Sequence, residues 1–318
     1  MKFNTLKERM EYYRDIVDYK LTPNSYVLAM VDGRAFSNLV KNTFQLPFDD
    51  SFISIMNETA AYVCKNIQGC KMAYTQSDEI SFIITDFDTP ETDAFFGFRL
   101  CKLQSIIASL ATSKFNQLFN KWYIETNGSM DMTPADILDI SQDCPLAQFD
   151  CKCWTVPSYN DVFAWFKYRQ NDCTRNSKQQ AAQTSLPHKQ LLNKKTDDQI
   201  RILKEEKGID WNTNYDNGKK YGRLIYKEEE LHTVEVKGEP TEITRSVWKA
   251  HHAEPLTREY FDSLNRVPNR DIIEEKDPET IQDKMAYLVH EKSFIGCEGE
   301  ILSVQNGINN SKIKNLQK

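Results

Sequence analysis

Two short stretches set acids where strands should end. "SYVLAMVDGRAF" begins with a continuous apolar run, Tyr26 to Val31, and stops abruptly at Asp32-Gly33. "TQSDEISF", Thr75 to Phe82, puts Ser77, Asp78 and Glu79 at the turn of an otherwise strand-like sequence. If the first two strands run parallel and the third lies antiparallel between them, this hairpin falls at the C-terminal end of strand one. Asp32 and Asp78 are then neighbours in space. Two carboxylates that close raise each other's pKa unless a cation lies between them. Mg²⁺ suits hard carboxylate oxygens and leaves positions for substrate phosphates. Two such ions about 3.5–4 Å apart serve in-line displacement at phosphorus.

The turn after Asp32 extends that chemistry. Gly33 permits close backbone approach, and successive N–H groups at Arg34, Ala35 and Phe36 could form a nest for a triphosphate. Ser77 offers a further donor. Asp, Gly and Ser are also ordinary turn residues, so either motif alone fits a plain loop. Their convergence at one sheet end favours a site.

The elements that must position them follow from periodicity. Tyr26–Val31 predicts a buried strand. From Asp49 or Asp50, good N-cap types, Phe52, Met56, Ala60 and Val63 mark one helix face. Strand, turn and strand follow across residues 70–85. Thr89-Pro90 signals the start of a long helix carrying Phe96, Leu100, Leu103, Ile107 and Leu110. "FDCKCWTV", 149–156, reads as a further strand. The order β-α-β-β-α-β predicts an α+β, ferredoxin-like split unit. Helices are expected around 160–182 and 195–207, then strands with a Gly-Glu-Pro turn, a helix near Pro278–Glu291, and a disordered tail. The chain thus divides into residues 1–157, 158–268 and 269–318, the last with no role assigned.

The 318 residues are 40% hydrophobic and 27% charged, enough for a real core. No run approaches the roughly 18 apolar residues of a membrane span. The N-terminus lacks a signal-peptide core, so a cytoplasmic protein is expected. Eight scattered cysteines read as reduced thiols. Cys151 and Cys153 should share one strand face, and a zinc site with Cys144 is the weaker reading. Residues 161–227 hold 14 Lys and Arg against 8 Asp and Glu, while the remaining 251 hold 26 against 38. A basic segment on an acidic body fits a polyanion held near a metal site, and equally a solvated charged surface.

"VDGRAFSNL", "LPFDDSFISIMNETA", "AYTQSDEISF", "KLQSIIASLATSKF", "FDCKCWTVP" and "YRQNDCTRNS" together are similar to the tRNA-histidine guanylyltransferases and their relatives, the reverse (3′-to-5′) nucleotide polymerases. The resemblance covers roughly residues 5–268. It implies a polymerase-like palm with two Mg²⁺ ions, held at Asp32, the Gly33 carbonyl and Asp78, with Glu79 as an adjoining catalytic acid. It places the nucleotide on Asp32, Gly33, Arg34, Ala35, Phe36 and Ser37, and on Ser77 and Asp78. ATP or GTP would activate a tRNA 5′ end, and the 3′-hydroxyl of an incoming nucleotide would then attack that phosphate. Lys152, Arg169, Gln170, Asn176, Lys219 and Lys220 are the implied contacts to RNA or a second nucleotide. Lys167, Arg175 and Arg223 belong to the same basic segment. A homo-tetramer is also implied.

The departures matter. Leu46 replaces a family lysine, and Lys152 stands where an arginine is expected, losing bidentate phosphate geometry. "RQNDCTRNSKQQ" keeps Arg169, Gln170, Asp172, Cys173 and Asn176 but has Thr174 in place of the selective enzymes' histidine. That resembles the guanylyltransferase-like branch, which repairs truncated tRNA 5′ ends against a template. Strict G addition to histidine tRNA is the nearest alternative. A palm-fold nucleotide cyclase and a non-catalytic RNA-binding module are the others.

Overall fold

Strand β1 (Tyr26–Gly33) pairs antiparallel with both β3 (Glu79–Ile84) and β4 (Phe149–Val156), and β3 pairs antiparallel with β2 (Cys70–Gln76). The computed structural model that shows this describes residues 2–270 apart from 90, 130, 237 and 238. It divides into two units, Met1–Pro268 and Asn269–Lys318. The helix expected over Pro278–Glu291, Cys297 and the polar tail lie outside the described residues.

The order β4-β1-β3-β2 is that of the expected split unit, with β1 and β2 running the same way. The sheet does not stop there. β5 (Arg223–Val236) joins β2 through Thr75 and Arg223, and β6 (Glu239–His252) follows as the edge.

β1 is apolar without alternation because helices cover both faces. Val27, Ala29 and Val31 pack toward α3 (Asp50–Asn66) and α4 (Leu100–Asn127). Tyr26 and Leu28 pack with Met72, Tyr74 and Ile83 against Val162 and Phe166 of the 27-residue helix Tyr159–Ser185. This second layer closes the face on which RNA-binding relatives of the fold stack bases. Trp165 on that helix donates its indole N–H to Ser81 Oγ at 3.2 Å across the sheet. Among the described residues no helix is long and apolar enough to cross a membrane.

Asp49 is the N-cap of α3, its Oδ1 accepting from Ser51 N at 2.8 Å and Phe52 N at 3.0 Å. The expected stripe Phe52, Met56, Ala60 and Val63 is buried. The second long helix starts later than its Thr-Pro signal predicts. Phe96, Gly97 and Phe98 all have positive φ (51°, 57° and 52°), and α4 begins only at Leu100. Neighbouring chain holds the segment out of helix: Leu21 N–H donates to the Phe98 carbonyl at 2.9 Å and Leu100 N–H to the Tyr19 carbonyl at 2.8 Å. Phe96 is consequently exposed, and the buried stripe is Leu103, Ile107, Ala111, Phe115 and Phe119. Each such fully buried phenylalanine contributes about 1.5–3 kcal/mol. The helix Pro134–Asp143, absent from the sequence reading, opens on a capping box between Thr133 and Asp136.

Candidate active site at the strand ends

The antiparallel register lines up one row of side chains across the sheet. Asp32 lies opposite Glu79 of β3 on one side and opposite Asp150 of β4 on the other, and Glu79 faces Gln76 of β2. Directly paired residues point to the same face, so three carboxylates share the side on which the Tyr159–Ser185 helix packs, Glu79 buried beneath it and Asp32 and Asp150 exposed. Asp150 is the member that sequence reasoning missed. The rule that puts the β2–β3 hairpin at this end puts the start of β4 there too, and "FD" marks it.

Electrostatics separate these acids. Burial, then the nearby Asp150, push the Asp32 carboxyl above its ordinary range, while Lys152 and Arg169 pull it down. Burial also pushes Asp78 up; a Ser77 hydrogen bond opposes the shift, and the charge of Asp32 adds to it. Neither carboxylate has a cationic side chain bonded to it among the described residues. Glu79 differs. Arg169 grips both of its oxygens, Nε donating to Oε1 at 2.7 Å and Nη2 to Oε2. The same guanidinium reaches Asp172 at 3.1 Å and lies over the Tyr168 ring at 5.1 Å. Burial still leaves Glu79 raised against the pull of Arg169. Its carboxylate is therefore committed to an ion pair rather than turned to a ligand, and Arg169 is committed with it.

The turn that follows Asp32 is strained. Ala35 is left-handed (φ 59°, ψ 26°) and precedes α2 (Phe36–Thr43), which opens without a side-chain cap. Ser77 is left-handed as well, with φ 47°. Such non-glycine positions cost about 1–3 kcal/mol each and gather at ligand sites. Gly33 is required for packing: a Cβ there would lie 2.3 Å from the Phe36 ring. That ring is held in place by Phe52, Phe115 and Phe149. The expected nest needs one correction, because the Arg34 N–H is already donated to the Gln148 carbonyl at 2.8 Å. Donors for an anion therefore start at Ala35.

A surface cavity runs from this turn, lined by Phe36, Ser37, Ser77, Asp78 and Asn176. Lys152 is exposed on β4, two residues beyond Asp150 on the same face. Other expected RNA contacts face inward. Gln170 is 2% exposed; its Nε2 donates to the Glu254 carbonyl at 2.8 Å and its Oε1 accepts from Leu256 N at 2.6 Å. Lys220 is 9% exposed, donates to the Asn212 carbonyl at 3.0 Å and sits over the rings of Trp211 and Tyr221. Arg223 is 4% exposed, with Asn57 and the Gly218 carbonyl as partners. These cations spend their charge inside the protein, so the basic balance of the segment overstates its basic surface. Lys219 bonds Asp50 at 2.7 Å, and Arg175 remains largely exposed beside Asp172. Cys151 and Cys153 share a face, with Sγ atoms 3.7 Å apart. Among the described residues no group of three His, Cys, Asp or Glu side chains is set to hold a metal.

A family model described as tRNAHis guanylyltransferase matches residues 7–157, a span that contains both acid-bearing turns. The tRNA(His) guanylyltransferase of Eremothecium gossypii is 28% identical over 240 residues, 72% of this chain and 94% of that protein. A bacterial tRNA(His) guanylyltransferase-like protein, solved in complex with ATP, is 32% identical with a TM-score of 0.66, covering 80% of this chain and 96% of its own. A second bacterial structure of this kind, in complex with GTP, is 28% identical with a TM-score of 0.59, over 80% of this chain and 97% of its own. Likeness of sequence and of fold, sustained over nearly the whole of those structures, makes this chain a member of the tRNA(His) guanylyltransferase family, a family of nucleotidyltransferases.

Proposed function

We propose that the protein extends tRNA at its 5′ end in the 3′-to-5′ direction, and that it repairs truncated ends against a template rather than adding G only to histidine tRNA. One observation carries the reading: Asp78, raised by burial and by the charge of Asp32, lines a cavity that reaches Asn176, two residues on from Thr174 along the same helix. The Thr174 hydroxyl donates to the Gln170 carbonyl of its own helix at 2.9 Å. The position where selective relatives carry a histidine thus presents no ring to RNA, and base pairing must choose the nucleotide.

Two carboxylates, one raised by the charge of the other, and a backbone carbonyl form a hard-oxygen donor set. It fits Mg²⁺, commonly held by one or two carboxylates together with substrate phosphates. Asp32, the Gly33 carbonyl and Asp78 would hold it, and bound Mg²⁺ would supply charge stabilisation at phosphorus. The remaining work belongs to the chain. The N–H groups from Ala35 onward and the Ser77 hydroxyl orient the triphosphate of ATP or GTP. In activation, an oxygen of the tRNA 5′-phosphate bonds to the α-phosphorus and pyrophosphate leaves. In addition, the 3′-hydroxyl of the next nucleotide bonds to the tRNA phosphorus, losing its proton, and the nucleoside monophosphate leaves. Glu79, locked by Arg169, fixes the hairpin that carries Asp78. The exposed Lys152 and Arg175 and the partly exposed Lys219 contribute charge toward the tRNA. A cytoplasmic location and a four-subunit assembly complete this reading.

The test is one assay with Mg²⁺, ATP and all four nucleotides on tRNAs lacking their first 5′ nucleotide. Addition of the complementary base across several tRNA species is expected. Addition of G alone, only to histidine tRNA and whatever base lies opposite, restores the stricter activity. Cyclic nucleotide formed without RNA would make the protein a cyclase instead.

A further inference from the structure

The row of strand-end acids has two sides. Toward the β2–β3 hairpin lies the cavity lined by Ser37, Ser77 and Asp78. On the other side is β4, the outer strand of the sheet, which carries Asp150, Lys152 and Trp154 on one face. Trp154 meets Trp165 of the covering helix edge to face, with ring centres 4.7 Å apart, and Trp165 meets Tyr168 at 5.8 Å. The two tryptophans are partly buried, and the indole N–H of Trp165 is fixed to Ser81. Tyr168 ends this row of rings and is 55% exposed. The Arg169 guanidinium lies 5.1 Å from its ring centre while bonding Glu79, so one side chain separates the ring from the acids. Lys152 is exposed on β4, and Arg175 is exposed two turns beyond Tyr168 on the same helix face.

A singly exposed aromatic ring needs no explanation by itself. Tyr168 has more: a backing of packed rings, exposed cations on β4 and on its own helix, and a place beside the acids but outside the lining of the cavity. Exposed rings among cations bind single-stranded nucleic acid, the cations meeting phosphates and the rings meeting bases. A tRNA that has lost 5′ nucleotides presents such a strand, because its 3′ strand runs on unpaired past the shortened end. We propose that Tyr168 is the platform on which an unpaired base of that 3′ strand stacks, with Lys152 and Arg175 on its phosphates. This rests on the repair reading above and names the part of the substrate held on the β4 side. Every base has a π-face, so stacking is tolerant of sequence. The platform steadies the template and leaves the choice of nucleotide to base pairing.

Equilibrium binding of two tRNAs to the full chain tests it. Both lack their first 5′ nucleotides, and one is also trimmed at its 3′ end to leave a blunt stem. Tyr168→Leu should weaken binding of the overhanging tRNA about five- to a hundredfold, the effect of one stacked base. It should leave the blunt tRNA nearly unchanged, so that the loss appears as coupling between ring and overhang. Tyr168→Phe, which keeps the ring, should restore tight binding of the overhanging tRNA. Since Tyr168 is largely exposed, both variants should match the parent in urea denaturation. Equal losses on the two tRNAs would move the ring to the duplex and overturn the platform. No loss on either tRNA, or a Tyr168→Phe variant as weak as Tyr168→Leu, overturns it as well and leaves the repair reading standing. Failure of the unmodified protein to bind either tRNA overturns the repair reading itself.

Discussion

Asp78 and Glu79 are adjacent in sequence, yet their surroundings are opposite. Glu79 is buried under a helix and both of its oxygens are gripped by Arg169. Asp78 is half-buried in the turn, with a serine hydroxyl for support and the charge of Asp32 against it. One acid is satisfied by the protein and the other is not. The left-handed Ala35 and Ser77 beside these acids cost about 1–3 kcal/mol each, and a fold retains such strain only where something else repays it. The difference supports the proposal that Asp32 and Asp78 hold the ligand while Glu79 steadies the hairpin.

The sharpest way to break the contrast is to neutralise Asp78 or Asp32. In Asp78→Asn and Asp32→Asn, nucleotide addition should fall at least about a thousandfold, because several kcal/mol of transition-state stabilisation depend on those oxygens. The fold should survive, and without divalent cation it should gain. Burial and Asp32 raise the folded-state pKa of Asp78 above its ordinary value of 3.8. A raised acid stabilises below the unfolded pKa and loses that contribution as pH climbs through the folded one. The stability advantage of Asp78→Asn over the parent, measured by urea titration without metal, should therefore be small below about pH 4 and grow toward neutrality. Adding Mg²⁺ should shrink it by stabilising the parent alone. An advantage that falls with rising pH would mean Asp78 is paired after all.

Arg169→Met is the complementary cut. It strands Glu79 as an uncompensated buried charge and should cost about 3–5 kcal/mol in chemical denaturation. Removing the charge as well, in Arg169→Met with Glu79→Leu, should recover much of that loss. Nucleotide addition in the double variant should then persist at a reduced level, since Asp32 and Asp78 remain. If the double variant folds well and is as inactive as Asp78→Asn, Glu79 takes part in the chemistry directly.

What was legible follows the same division. The strand-end turns could be read because Asp-Gly and Ser-Asp interrupt apolar runs, and because sheet topology brings those ends together. Asp150 was within reach of the same rule. The pairing of Glu79 with Arg169 was not, for it depends on the Tyr159–Ser185 helix lying across the sheet 90 residues later in the chain. The same packing turns Gln170 inward, a fate that composition cannot show. The late start of α4 was hidden for a related reason. Thr89-Pro90 is a sound start signal, but backbone bonds from Tyr19 and Leu21 override it.

The smallest effects concern two adjacent lysines of the basic segment. Composition makes Lys219 and Lys220 equivalent RNA contacts, and their surroundings do not. Lys220 donates to the Asn212 carbonyl and lies 5.8 Å from the Trp211 ring centre and 5.5 Å from that of Tyr221. Lys220→Met should cost about 1–2 kcal/mol of stability through that lost hydrogen bond and ring contact. It should leave the salt dependence of tRNA binding unchanged once the folded fraction is matched. Lys219 is partly exposed, and its partner Asp50 is more exposed still, with side-chain exposures of 21% and 82%. An exposed pair of this kind is worth at most about 1 kcal/mol, so Lys219 can turn to a phosphate at little cost. Lys219→Met should barely alter stability but reduce the slope of log K against log salt by about 0.7–0.9, the release of one counterion. Slopes unchanged from the parent in both variants would mean that neither lysine meets RNA, and would leave Lys152 and Arg175 to carry the contact. A slope lost in Lys220→Met alone would mean that its side chain leaves the Trp211 ring when tRNA binds.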